Sequence, residues 1–335
     1  MRSAGERLTE NAIAPMMGAP DLEVLTLSAH YALLEQETLL HINGPDTLTF
    51  LQGQTTCDSS VITADQAAAG AYCTPKGRMV CDFVLGQLGP EHYALRLRSS
   101  VAPATVSTLG KYIVFSKADI NSERKDWQVV ALWGSGVASA LAALGMTPPG
   151  ERYQASSDDG YVLIQLDEAG NFFEAWIDME QHADHFEALQ DALEESSADT
   201  WNSLQICAGL GRVEGATSED FLPQDLNYDI TGHVNFTKGC YTGQEIVARL
   251  HYRGKAKRRA YPVALNNTEA LAAGTPLFNE GGSQSVGSVV NSARDGERTV
   301  CLVSATSNGL AQGLRVDGDE GPVMEPLELP YSLEV

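Results

Sequence analysis

The order of apolar segments between residues 127 and 196 restricts the folds open to this chain. Alternating β-branched and aromatic residues predict strands, whereas a 3.6-residue period predicts helices. The segments are a strand running into glycines at 127–136, a helix at 137–145, strands at 161–166 and 172–178, and an acidic amphipathic helix at 180–196. This order, strand–helix–strand–strand–helix, is typical of a small α+β sandwich.

Different patterns occupy the two flanks of that region. On the N-terminal side, alternation at 71–75, 79–88 and 92–98 predicts an antiparallel meander, followed by a helix over 101–111. From about residue 256 onward, short strands alternate with Gly- and Asn-rich turns, which indicates a small β-barrel. The predicted fold class is therefore α+β with a C-terminal barrel.

Charge and apolar content exclude several classes of protein. The 335 residues include 44 acidic and 22 basic side chains, and the net charge of −22 opposes general affinity for nucleic acid or anionic membranes. No stretch approaches the roughly 20 apolar residues that span a bilayer. Residues 1–20 lack a signal-peptide core and predict a loose, flexible arm on a cytoplasmic protein. The spacing of the six cysteines fits neither a disulfide framework nor a metal site.

One cysteine lies beside a predicted helix start, in the sequence KGCYTGQEIVAR. Thr242 and Glu245 match a capping box, which predicts a helix from about Gly243 to Leu250. Free N–H groups at that helix start, together with the ammonium of Lys238, favour the thiolate form of Cys240. A small, buried cysteine in a tight turn is the structural alternative.

Cations crowd the region that follows the cysteine. Six of the 22 basic residues fall within eleven positions, and no acidic residue occurs from 246 to 268. The six are Arg249, Arg253, Lys255, Lys257, Arg258 and Arg259. A solvated basic strip is one interpretation. The other is a surface that faces an anion, such as the carboxylates of a ligand, a phosphate or RNA.

Several segments resemble one family in the order in which that family carries them. The segments are FLQGQTTCD (50–58), PKGRM (75–79), RSS (98–100), KYIVFSK (111–117), LPQDLNYDITGHVNFTKGCYTGQE (222–245) and EPLELPYSLE (325–334). They resemble the YgfZ family of folate-binding proteins for iron–sulfur cluster assembly. The resemblance covers most of the chain.

The resemblance implies the fold of the glycine cleavage T-protein. That fold has two interleaved α+β domains and a C-terminal β-barrel around a central channel. The implied domains are the arm at 1–20, a folate-channel domain at 21–118 and 200–255, a ferredoxin-like α+β domain at 119–199, and the barrel at 256–335.

The resemblance also implies a function. Members bind tetrahydrofolate and help to assemble or repair iron–sulfur clusters in client enzymes, including the radical enzymes that methylthiolate tRNA. By motif, Cys240 is the functional thiol, with Lys238 beside it. The implied folate contacts are Trp201, Tyr241, Gln244, Arg249, Arg253 and Arg258. For Trp201, a plain core aromatic is the alternative. No resident metal and no direct contact with tRNA are expected.

Two other functions remain open. Folate-dependent aminomethyl or one-carbon transferases of this fold use an aspartate after the strand that corresponds to 92–98, but no Asp or Glu occurs from His92 to Ala118. An RNA-binding protein acting through residues 249–259 is the third possibility, opposed by the net charge.

The sequence departs from the family pattern at two positions of the pterin site. The position of a second family tryptophan falls near Glu37, and Cys207 replaces a glutamate.

Overall fold

The computed structural model describes residues 28–266 and 269–333, so the predicted arm at 1–20 lies outside the described residues. The strands are β1 His30–Leu33, β2 Glu37–Asn43, β3 Ala68–Cys73, β4 Met79–Gly89, β5 His92–Arg98, β6 Asp119–Asn121, β7 Trp127–Trp133, β8 Ala155–Asp158, β9 Tyr161–Gln165, β10 Phe172–Asp178, β11 Glu194–Glu195, β12 Arg259–Leu265, β13 Pro276–Leu277, β14 Gly287–Asp295, β15 Arg298–Ala305 and β16 Glu325–Pro326. The helices are α1 Thr47–Gln54, α2 Ala102–Ile113, α3 Val137–Ala143, α4 Ala183–Ala192, α5 Ala198–Cys207, α6 Gln244–Arg253 and α7 Ser307–Ala311. Within the described part of the chain, no helix combines the length and hydrophobicity needed to cross a membrane.

The first sheet has the strand order β3-β4-β5-β2-β6. Its β3, β4 and β5 pair antiparallel in sequence order, which confirms the predicted meander. The strand β2 then pairs with β5 on one side and with β6 on the other. Helix α2 covers this sheet, burying Thr105, Leu109 and Ile113 at four-residue spacing.

The second sheet has the order β11-β1-β7-β10-β9-β8 and contains the predicted strands of residues 127–178. Alternate residues of β7 enter two apolar cores, with Val129, Ala131 and Trp133 in one and Val130 and Leu132 in the other. A strand buried on both faces reads as a continuous apolar run, as this one does. The N-terminal strand β1 also pairs here, antiparallel to β7.

The third sheet, β13-β14-β15-β12-β16, curls into a half-barrel at the C-terminal end. A bulge between Val289 and Asn291 shifts the register of β14 against β15. Val290 and Leu302 join the core of the first sheet, whereas Val289 and Val303 pack in a core of their own. The described chain is therefore an α+β fold in which the C-terminal sheet is joined to the first sheet by apolar packing.

Candidate functional site

Cys240 lies in an irregular loop directly before helix α6, and its side chain is exposed. Residues 233–236 form no strand, because the Asn235 side chain turns the chain there. Its Oδ1 accepts the main-chain N–H groups of Thr237 and Lys238 at 2.8 and 3.0 Å. The Asn235 N–H in turn donates to the carbonyl oxygen of Thr56 at 2.9 Å. This bond fixes the loop to the segment between helix α1 and strand β3.

The other five cysteines differ from Cys240 in burial. Cys57, Cys73, Cys81 and Cys301 are buried, and Cys207 is half-buried. Burial raises the pKa of each of these five thiols, so that they stay protonated at neutral pH. Cys240 is therefore the most accessible of the six thiols to solvent and to a partner.

The ammonium of Lys238 is buried and faces away from solvent. Its Nζ donates to the carbonyl oxygens of Gln52, Thr55 and Cys57 at 2.8, 2.6 and 2.6 Å. An ammonium has three donors, so all of them are in use. Burial lowers the pKa of Lys238, and its Nζ also lies 5.3 Å from the centre of the Tyr241 ring. This geometry favours a positioning role for Lys238 over a direct hydrogen bond to a thiolate at Cys240.

The start of helix α6 differs from the predicted capping box. The helix spans Gln244–Arg253, and no side chain caps its N-terminus. The Thr242 hydroxyl instead donates to Oε1 of Gln54 at 3.1 Å, and the Thr242 N–H donates to the Gly53 carbonyl at 3.2 Å. Gly243 stands at the N-cap with φ of +86°, where an added Cβ would come 2.5 Å from the Thr74 carbonyl oxygen. The helix start is therefore held by bonds from Thr242 to helix α1 and by the close approach of Gly243 to Thr74, and not by a side-chain cap.

We call the six cations predicted at 249–259 the cation strip. One of them is a structural arginine, and the others form no salt bridge within the described residues. Arg259 binds both carboxylate oxygens of Asp229, at 2.6 and 3.0 Å. The predicted contacts Arg249 and Arg253 are exposed on α6, Gln244 is half-buried at its first position, and Arg258 is half-buried after it. A cleft of about 480 Å³ opens beside them, with Leu250, His251, Lys255, Lys257, Arg259 and Tyr261 in its wall.

Both predicted aromatic contacts are buried. Trp201 is 3% exposed, and its ring centre lies 5.6 Å from that of Trp133 and 5.8 Å from that of Phe172. Tyr241 is buried as well, and its hydroxyl has no hydrogen-bond partner among the described residues. In this conformation Trp201 is a core side chain, as its structural alternative predicts.

A buried ion network that the sequence analysis missed surrounds Glu37. Arg212, Arg98 and Arg96 approach its carboxylate at 2.8, 3.2 and 3.7 Å. Burial alone would raise the pKa of Glu37, but the three guanidinium groups outweigh burial and lower it to about 2. Arg96 also binds Glu174 at 2.8 Å. One signal was present: Arg96 and Arg98 are two positions apart on β5 and therefore face the same side of a buried strand.

A cavity of about 440 Å³ borders this network. Its polar lining includes Arg98, Asn202, Gln205, Arg212, Glu214 and Asn291. A much smaller cavity of about 30 Å³ shares Gln205, Leu210 and Arg212 with it and reaches Arg96 and His233. The larger volume falls in the range of small-molecule sites. None of the six predicted folate contacts lines either this cavity or the cation-lined cleft in the described structure. Sequence neighbours of four of them do: Asn202 lines the cavity, and Leu250, Gly254 and Lys257 line the cleft.

Comparison with solved structures identifies the fold. The chain superposes on the crystal structure of glycine cleavage system aminomethyltransferase T from Bartonella henselae with a TM-score of 0.71. The match covers 92% of this chain and 86% of that chain at 17% sequence identity. The similarity confirms the predicted T-protein-like fold.

Comparison of sequences identifies the family, although no family model matches the chain. A tRNA-modifying protein YgfZ of Yersinia pestis (strain Pestoides F) is 32% identical over 323 residues, which cover 95% of this chain and 97% of that protein. A tRNA-modifying protein YgfZ of Pectobacterium carotovorum subsp. carotovorum (strain PC1) is 30% identical over 325 residues, with 95% and 96% covered. Two relatives of this identity, aligned over nearly their whole length, show that the chain belongs to the YgfZ family.

Proposed function

We propose that this protein is a cytoplasmic, tetrahydrofolate-binding accessory factor that helps to assemble or repair iron–sulfur clusters. Its clients are the radical enzymes that methylthiolate tRNA, and its working group is the thiol of Cys240. The observation that carries this proposal is the exposure of that one thiol, in a loop held by Lys238, while the other five are half-buried or buried. The name of the relatives, tRNA-modifying protein, agrees with such clients.

We assign the folate to the cavity of about 440 Å³ beside the Glu37 network. A pterin edge offers both donors and acceptors, and the amides of Asn202, Gln205 and Asn291 supply both in return. Asn202 directly follows Trp201 on helix α5, so a folate there lies near the predicted tryptophan without touching its buried ring. Four of the other predicted folate contacts do not line this cavity: Gln244, Arg249, Arg253 and Arg258. For these four to bind folate, a second folate-binding surface is required at the cation strip.

The chemistry of Cys240 follows from the exposed thiol. A thiolate exchanges with a persulfide or a disulfide of a client, and it also binds transiently to an exposed iron of a cluster. The cluster is the cargo in this scheme, and the described residues contain no group of three or more His, Cys, Asp or Glu side chains arranged to hold a metal ion.

The alternative is a one-carbon transferase, which the T-protein-like fold favours. Such chemistry needs a carboxylate that can manage charge on the transferred group. The segment 92–118 contains none, and the buried Glu37 and Glu174 are held in ion pairs with arginines. A carboxylate whose pKa is about 2, as for Glu37, is a poor general base. We therefore assign folate binding without group transfer.

Titration with tetrahydrofolate tests the folate site. The wild-type protein should bind it, Gln205→Ala should weaken binding by roughly tenfold, and the exposed Gln312→Ala should not change it. A lack of binding by the wild type contradicts the proposal, and robust tetrahydrofolate-dependent turnover of formaldehyde or of an aminomethyl donor supports the transferase instead.

Complementation tests the cellular role. In a bacterium whose own gene of this family is deleted, the wild-type chain should restore methylthiolated tRNA. Failure to restore it, with the protein folded and expressed, contradicts the assignment. Direct binding of tRNA, with a steep salt dependence lost on Lys257→Ala and Arg258→Ala, would favour the RNA-binding alternative.

A further inference from the structure

The end of helix α2 exposes an unusual group of apolar side chains. Phe115 is 88% exposed, Val114 70% and Tyr112 45%. Six large apolar side chains are exposed in the described chain, and three of them fall within these four positions. We call residues 112–115 the apolar tip. Isolated exposed apolar residues are ordinary, but a contiguous group marks an interaction surface.

The apolar tip is held in place by its own backbone. Ile113 is buried as its anchor, and the Ser116 N–H donates to the Ile113 carbonyl at 2.8 Å. The Lys117 N–H donates to Oδ2 of Asp46 at 2.8 Å, directly before helix α1. Because these bonds fix the turn, Val114 and Phe115 are presented to solvent by an ordered element, and a partner loses little conformational freedom in meeting them.

The charge around the apolar tip differs from that of the whole chain. Lys111 and Lys117 flank it, and both are exposed without a salt bridge among the described residues. The segment from His92 to Ala118 contains no acidic residue, in a chain with a net charge of −22. The complementary partner therefore offers an apolar pocket with carboxylates at its rim.

Helix α1 connects the apolar tip to the cysteine loop. At its N-terminal end, Asp46 binds the main chain of Lys117. At its C-terminal end, Gly53 and Gln54 bind Thr242, two residues after Cys240. An eight-residue helix is about 12 Å long. A protein seated on the tip therefore lies within about one protein radius of the Cys240 thiol.

We propose that the apolar tip is the docking element for the client protein whose cluster Cys240 serves, an inference that rests on the proposed function. Phe115 and Val114 enter an apolar pocket of the client, and Lys111 and Lys117 pair with acidic groups at its rim. A membrane is a poorer occupant, because three side chains bury little area and the net charge of −22 repels anionic lipid.

The test measures binding to a purified tRNA methylthiotransferase by calorimetry. The variant Val114→Ser/Phe115→Ser should bind it roughly tenfold more weakly or worse. The matched control is Val323→Ser, since Val323 is 52% exposed and lies elsewhere, and it should bind as the wild type does. Cys240→Ser should also bind as the wild type, because docking precedes thiol chemistry.

Four outcomes overturn the docking proposal. They are no binding by the wild type, equal binding by the tip variant, a tip-dependent dimer of the free protein in sedimentation, and tip-dependent flotation with anionic vesicles.

Complementation separates this proposal from the proposed function. If the wild-type chain restores methylthiolated tRNA and the tip variant restores it equally well, docking at the tip is wrong and the function stands. If the wild type restores nothing, the function itself is wrong.

Discussion

Lys238 and Cys240 are two residues apart, yet the Lys238 ammonium is buried on three carbonyl oxygens while the Cys240 thiol is exposed. The Lys238 side chain fixes the loop to residues 52–57. The same loop holds the Cys240 thiol at the surface. A rigid loop that carries an exposed thiol suits exchange chemistry with a large partner, because the thiol needs no local unfolding to react.

Alkylation should distinguish Cys240 from the other cysteines. Native protein treated briefly with iodoacetamide should be modified at Cys240 first, because burial keeps Cys57, Cys73, Cys81 and Cys301 protonated and covered. Peptide mass spectrometry gives the site, and unfolded protein, in which all six react, is the control. Rapid modification of a buried cysteine in native protein would contradict the structure.

Lys238→Met should destabilise the protein by about 2–4 kcal/mol, because it leaves the carbonyls of Gln52, Thr55 and Cys57 without their donor. Urea unfolding measures the change. Lys255→Met is the control, because Lys255 is exposed and its loss should change stability by less than about 0.5 kcal/mol. Equal stability of the two variants would mean that the ammonium does not hold the loop.

Glu37→Gln should destabilise the fold by about 3 kcal/mol, because it removes the buried carboxylate that three guanidinium groups share and leaves each of them with one remaining acidic partner. Glu35→Gln, two residues earlier and exposed, is the matched control. Thermal unfolding at neutral pH compares them. If Glu37→Gln is as stable as Glu35→Gln, the ion network does not contribute to stability.

The stability of the fold should fall in acid partly through His233. Burial, with help from Arg152, Arg212 and Arg96, lowers the pKa of His233 from 6.5 to about 3. A depressed folded-state pKa means that stability is complete above pH 6.5 and is lost as the pH falls toward 3, by up to about 1.4 kcal/mol per pH unit.

Replacement by glutamine isolates that contribution. Between pH 6.5 and 5, the wild type should lose about 2 kcal/mol more than His233→Gln. Denaturant unfolding at several pH values measures the difference. Parallel pH profiles for the two proteins would show that His233 takes up its proton equally well in the folded and unfolded states.

Local sequence patterns predict the strands and helices of this fold well where the spacing of apolar residues shows which side chains are buried. The alternation in 79–88 and 92–98 predicts two strands, and both form because their apolar faces pack against one core. The start of the helix near Gly243 is predicted to within one residue, but the predicted capping box does not form. Thr242 and Glu245 match a capping box locally, but Thr242 bonds to Gln54, a partner 188 residues away that no local pattern reveals.

In the Cys240 site, too, local features were predictable from the sequence and long-range contacts were not. The cysteine and its exposure follow a local motif, whereas the environment of Lys238 depends on carbonyl oxygens more than 180 residues away. The Glu37 network joins residues from three strands and a loop, and a single sequence does not state which buried charges meet. Long-range polar contacts are thus the part of this site that required the structure.

Replacement of Cys240 by serine tests the central claim most directly. The measurement is the fraction of methylthiolated tRNA, by mass spectrometry, in a strain without its own gene of this family. Cys240→Ser should fold and bind tetrahydrofolate as the wild type does but restore little of the modification, whereas the half-buried Cys207→Ser should restore it. Full restoration by Cys240→Ser would contradict the account.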